Sequence, residues 1–444
     1  MYSTHEALAA AASGLHRLRQ DRTGQIIHFI LNIAAKGPRF RGWYIVAMMS
    51  GPRAAGTGTY ILGSTLFVIP LETYLGLSRS MSALLFASGS MVAGLAALIS
   101  GALMDRYGPR WVLLASVIIS ALGYILFAMT SNVLMVYIVF VGVISPVILN
   151  VAYNAGAAFI NNWFSRYRAT AMSFLQVGAG IGAIIIIPTL AFIIDNWQWR
   201  AAAIAAAGFI LALGLPAALL SRDTPEEVGM LPDGESVSDD RPTVTTIEPT
   251  AKEAFRTRGF WSMVGAVMAF GGATAALQIH FLPIMVWKGM DEVQGALVLT
   301  VMAIMSTPAV LVMGPLADRF GRMTVAGGTA TLVALGVVLL NLSSPVWSIW
   351  GAALIIAPNF GMYPLIWAAL GHAFGRKSFS TIRGTVLALQ VGGTLGMPIL
   401  AGMVFDRTES YSVMLWVIAG LWITAAILLF LAPSHSYVRT TRAD

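Results

Sequence analysis

Arg53 is the residue whose position most needs a chemical explanation. It lies in GWYIVAMMSGPRAAGTG, about eleven residues inside an apolar run, or roughly 16 Å deep at 1.5 Å of helical rise per residue. No acidic residue lies at comparable depth. A guanidinium keeps its charge and grips carboxylates through two parallel donors. An unneutralised one within hydrocarbon therefore suits an anionic guest, since ionisable groups at such depth serve function by default. The alternative is a structural arginine bonded to carbonyls or to a helix end. His280, in LQIHFLP, either titrates near neutral pH or is a satisfied structural histidine. The six histidines show no helical pairing at i, i+4, and there are no cysteines, so no metal site is expected. No glycine-rich phosphate loop follows a strand, so neither a cofactor nor ATP chemistry is expected, and the chain does not read as an enzyme.

The elements that position these residues follow from composition. Of 444 residues, 57% are hydrophobic and 11% charged, against about 25% charged in soluble domains. Apolar runs near 20 residues recur, the length that crosses the hydrocarbon of a bilayer. Twelve spans are expected, near 42–71, 79–104, 109–129, 133–163, 168–194, 200–220, 259–286, 293–317, 322–342, 346–373, 383–405 and 411–432. The fold class is thus an all-α membrane protein of twelve transmembrane helices in two six-helix bundles, 42–220 and 259–432. Residues 221–258 form a polar linker with four prolines and nine acids, too poor in apolar material for a core. A basic segment, 1–41, lacks the layout of a signal peptide; it is an amphipathic surface helix or a basic tail. Residues 433–444 form a second tail. Of the 27 Lys and Arg, 22 fall on one side of this layout and four on the other. By the positive-inside rule both termini are cytoplasmic. The net charge of +7 is thereby a matter of topology, and no nucleic-acid partner is expected.

A repeat supports the bundle count. Gly101, Leu103, Asp105, Arg106 and Gly108 recur 213 residues later as Gly314, Leu316, Asp318, Arg319 and Gly321. FSRYRATAMSFLQVGAGIG, from Phe164, parallels FSTIRGTVLALQVGGTLG, from Phe379, with one gap. Two matches at nearly one offset imply duplicated halves of like orientation. GALMDRYGPR and GPLADRFGRM resemble the loop signature of the major facilitator superfamily. RGWYIV, WFSRYRATAMS, WQWR and RDTPEEVGMLPDG narrow the resemblance to its oxalate/formate-antiporter-like and monocarboxylate-porter branch.

The resemblance implies a secondary transporter in which the signature loops latch one conformation. The latch set is Gly101, Asp105, Arg106, Gly108, Arg110, Arg168, Gly314, Asp318, Arg319, Gly321, Arg322 and Arg383, with Asp105 paired to Arg106, Arg110 or Arg168. A plain topogenic loop is the alternative. It also implies a central site, where Arg53 is joined by Asn150, Tyr153 and Asn154 of the fourth span, Gln278 and His280 of the seventh, and Asn359, Tyr363 and Trp367 of the tenth. Relatives often carry a cation on the eighth or eleventh span, and none is expected at depth here. A single cation suits a monoanion, so the expected cargo is a small organic monocarboxylate, moved by proton symport or in exchange for another anion. Glu72, Asp195 and Asp406 all sit at the outer ends of spans, which leaves His280 or the cargo itself to carry a proton. The chain is expected to work as a monomer in the cell membrane. A receptor or sensor with the same fold, or a carrier of a neutral or dicarboxylate solute, is the competing reading.

Overall fold

Long apolar runs can satisfy their own amides in lipid only as helices, and a computed structural model describes such helices over most of residues 41–76, 79–234, 244–343, 346–432 and 437–442. The basic N-terminal segment, apart from Arg41, lies outside the described residues. The spans are α1 (Gly42–Leu75), α2 (Arg79–Tyr107), α3 (Pro109–Ala128) and α4 (Val133–Trp163). Then come α5 and α6, which share one continuous run, Arg168–Leu220. They are followed by α7 (Arg258–Trp287), α8 (Glu292–Phe320), α9 (Arg322–Leu342), α10 (Val346–Phe374), α11 (Phe379–Thr408) and α12 (Ser412–Leu431). A straight helix of 53 residues would measure about 80 Å, more than twice the hydrocarbon thickness. The run instead turns back at Gln198, whose φ of 72° and ψ of 166° are not helical. The expected fifth and sixth spans are the two arms of this hairpin. Bulky apolar side chains such as Ile184, Ile69 and Trp347 remain exposed on the outer helix faces, as suits a chain solvated by lipid.

The two signature loops turn on glycine. Gly108 and Gly321 hold φ at 86° and 97°, open to glycine at no steric cost. Gly101 and Gly314 allow close helix approach. A Cβ at Gly101 would overlap the carbonyl of Ser380 on α11, and one at Gly314 would come within 2.6 Å of Ser173 Oγ on α5.

At this face, which carries most of the basic residues, the halves are sealed by carboxylates at helix N-termini. Asp105, ending α2, accepts hydrogen bonds from the backbone amides of Ser380 (3.0 Å) and Thr381 (2.7 Å) in the first turn of α11. Asp318, ending α8, accepts from the amides of Ala169 (3.1 Å) and Thr170 (2.8 Å) and from the Thr170 hydroxyl in the first turn of α5. Each carboxylate thus meets the positive end of a helix in the opposite half. This corrects the expected pairing of Asp105 with arginine. Arg110 instead donates to the carbonyls of Ala218 and Leu219, and Arg168 to those of Phe164 and Asn161. Arg322 does pair with Asp318, at 3.0 Å. Arg106 and Arg319 stand over the neighbouring rings of Tyr107 and Phe320.

The described residues of the linker are held by specific contacts. Asp223 accepts from the amide of Arg110, Asp233 from those of Ser165 and Arg166, and Glu248 from those of Arg376 and Lys377. Glu226 pairs with the Arg376 guanidinium at 2.8 Å. Partial burial raises the Glu226 carboxyl, but the Arg376 bond and charge outweigh it and hold the group below the usual carboxylate value. Residues Val244–Ile247 (β1) pair antiparallel with Arg439–Arg442 (β2), so the linker carries a strand of the C-terminal tail.

Candidate substrate cavity

Between the halves lies a cavity of about 580 Å³, lined by α1, α2, α4 and α5 from the first and α7, α8, α10 and α11 from the second. The carboxylate-capped seal closes it toward the basic face. On the other side its lining continues to Ile61, Leu62, Gln278 and Thr394.

Arg53 is buried at the floor of this cavity, 6% exposed. Its Nη1 donates to the carbonyl of Ala152 at 3.0 Å and its Nη2 to Gln176 Oε1. α4 runs as a π-helix over Asn150–Asn154, and such wide turns, frequent at functional sites, expose backbone groups to other partners. The carbonyl at Ala152 is thereby available to Arg53. The guanidinium carbon stands 4.0 Å from the centre of the Tyr153 ring, and Nε has no acceptor. Among the described residues no carboxylate pairs with it. The carbonyl contact expected of a structural arginine is present, together with the missing counter-charge expected of an anion site.

A second arginine faces the same cavity. Arg383 was expected at the latch, and α11 was expected to hold no cation at depth. The structure places it otherwise. α11 starts at Phe379, four residues before the expected boundary, so Arg383 is already one turn inside the helix. Its long side chain reaches Asn154 Oδ1 in the opposite half and lies 4.6 Å from the centre of the Trp367 ring. It is 4% exposed, and its Nε lacks an acceptor. The expectation of one cation is therefore corrected to two. The Arg168 guanidinium, at the matching repeat position, is consumed by local carbonyls.

Of the other expected site residues, Tyr153, Asn154, Gln278, Asn359, Tyr363 and Trp367 line the cavity. Asn150 stands behind it, donating to Ser116 Oγ at 3.1 Å and accepting from Asn154. His280 is not on the wall. It packs within the second half, with Nδ1 3.2 Å from the Tyr411 hydroxyl and Nε2 3.0 Å from the Pro398 carbonyl. Its role there is that of a satisfied structural histidine. Gln176 and Gln390 were missed. Gln390 donates to the Tyr363 hydroxyl. Both glutamines stand in LQVG, the segment common to the two repeats, and that shared polar position at mid-helix was the available signal.

A sequence profile of the Major Facilitator Superfamily matches residues 54–390. Monocarboxylate transporter 11 of Mus musculus is 27% identical over 85% of this chain and 84% of its own length. Monocarboxylate transporter 2 of Homo sapiens is 23% identical over 81% and 77%. Among solved structures, the transporter FucP in its outward conformation superposes with a TM-score of 0.67 at 15% identity, covering 87% of this chain and 98% of that one. The proton:xylose symporter XylE gives 0.67 at 14% identity, over 89% and 96%. With apolar helices in two like halves among the described residues, a cavity between them, the signature loops at the seal and a profile match over most of its length, the chain belongs to the Major Facilitator Superfamily.

Proposed function

We propose that this protein carries an organic carboxylate, of the monocarboxylate class, across the cell membrane by alternating access. The observation that carries this reading is a pair of buried arginines, Arg53 and Arg383, facing one cavity with no carboxylate among the described residues to neutralise either. Both are desolvated, and burying a charge is costly unless a partner compensates it; the cargo is that partner. The names of the relatives, at 27% and 23% identity, support the same class. Charge asymmetry supports a cytoplasmic position for the basic face, which makes the cavity outward-open with its inner end sealed. Rocking of the halves about the bound anion would break the Asp105 and Asp318 seals and open the other side. The second arginine specifically favours one further reading, a dicarboxylate that neutralises both.

Proteoliposomes loaded with an unlabelled acid and given labelled pyruvate or succinate outside decide the matter. Saturable uptake, competed by acids and not by sugars, is the expected result. Preference for succinate would favour the dicarboxylate reading, and competition by neutral solutes alone would defeat both.

A further inference from the structure

We propose that the cargo has a flat, bulky apolar body, so that an aromatic carboxylate fits the cavity better than a two- or three-carbon acid; this rests on the carboxylate reading above. The charged groups are confined to one end of the cavity. Arg53 and Arg383 lie at its floor, beside the seal. One helical turn outward the lining is uncharged: Arg53 is followed four residues later by Thr57. Gln176, which holds Arg53, is followed four residues later by Gly180, and Arg383 is followed four residues later by Leu387. On α10 the turn outward from Trp367 carries Tyr363, whose ring stacks on it with centroids 6.2 Å apart and planes 25° apart. Trp367 is thereby held between Arg383 and Tyr363 and is 5% exposed, and the half-buried Tyr363 ring lines the cavity one turn farther from the arginines.

On α5 the first half provides room. Gly180 lines the cavity, and a Cβ built there meets no heavy atom within 4 Å. Its neighbours Gly178 and Gly182 differ: they are packed against Ser50 and Ala54 of α1. So the small residue at 180 is not needed for helix contact, and its open face looks into the cavity. A volume of about 580 Å³ is within the roughly 300–1,000 Å³ of sites that enclose drug-sized ligands. A three-carbon acid at the arginines would leave the Tyr363 ring and the space beside Gly180 to water. An aryl acid would extend its ring into that space while its carboxylate met the guanidiniums.

The test is a binding series on the purified full-length protein, read by thermal shift, with acetate, pyruvate, benzoate and 3-phenylpropionate. It is repeated in Gly180→Leu, where the added side chain enters open space. We expect the aryl acids to bind at least tenfold more tightly than acetate or pyruvate. Gly180→Leu should weaken the aryl acids by tenfold or more and leave the small acids unchanged. Small acids binding as well as aryl acids, or a variant that weakens every acid equally, would overturn the proposal while leaving the carboxylate reading intact. Should no acid of any size bind, it is the carboxylate reading itself that fails. If the variant does not fold, the size series on the parent protein decides alone.

Discussion

Arg53→Gln is expected to abolish measurable carboxylate binding and uptake while leaving the empty protein at least as heat-stable as its parent. Removing one partner of a buried, hydrogen-bonded charge pair costs about 2–5 kcal/mol, which is roughly thirty- to several-thousand-fold in affinity. The sign reverses without cargo. The empty protein holds a desolvated cation with an unbonded Nε and no carboxylate partner among the described residues, and replacing a buried charge of this kind is neutral or stabilising. Gln retains an amide donor for the Ala152 carbonyl that Arg53 now serves. The measurements are a melting curve and a ligand titration on the same preparation. A variant that misfolds, with wild-type affinity in whatever fraction survives, would identify Arg53 as a structural residue and not an anion site. Arg383→Gln should lose affinity as well. It should also loosen the bond to Asn154 across the halves, so its effect on uptake is not expected to match its effect on binding.

The second large effect is expected at the seal. Asp105→Ala removes a carboxylate that accepts from two amides at the start of α11. Loss of such a cap costs about 0.5–2 kcal/mol, so the balance between outward- and inward-open forms should shift by roughly two- to thirty-fold toward the inward form. The chain has no cysteine, which makes a single introduced thiol an unambiguous reporter. Ser173 is buried against Gly314 where α5 meets α8, on the other signature loop from Asp105. Ser173→Cys should react slowly with a maleimide in the parent and faster once Asp105→Ala is added. Because the reporter is remote from the substitution, a rate increase reads rocking of the halves and not local fraying of α11. An unchanged rate would show that Asp105 does not hold the seal.

These results bear on how much a sequence of this kind discloses. The spans were legible because lipid imposes one structure on any long apolar run, and the duplicated loops fixed the two-half arrangement. Arg53 was legible because it is the charge in the middle of such a run. Arg383 was not: it lies near a span boundary, and a shift of four residues in that boundary moves it from a loop to a cavity floor. The seal was misread for another reason. Side chains are visible in a sequence, whereas the partners of Asp105 are backbone amides whose donor character comes from being first in a helix. The linker's acids read as solubilising residues, yet four of them bind loop amides or Arg376. His280 was a fair candidate by type, but only the fold shows that its ring nitrogens face Tyr411 and Pro398.

The most direct test of the carboxylate site compares an acid with its uncharged amide, benzoate with benzamide, on the purified protein by thermal shift. A ligand that prefers the folded state raises the melting temperature. The shapes are nearly alike, so the difference isolates the charge that Arg53 and Arg383 are held to neutralise. Benzoate should raise the melting point in a saturable way, and benzamide should not. Equal shifts from the two would contradict the assignment of these arginines as counter-charges for an anionic cargo.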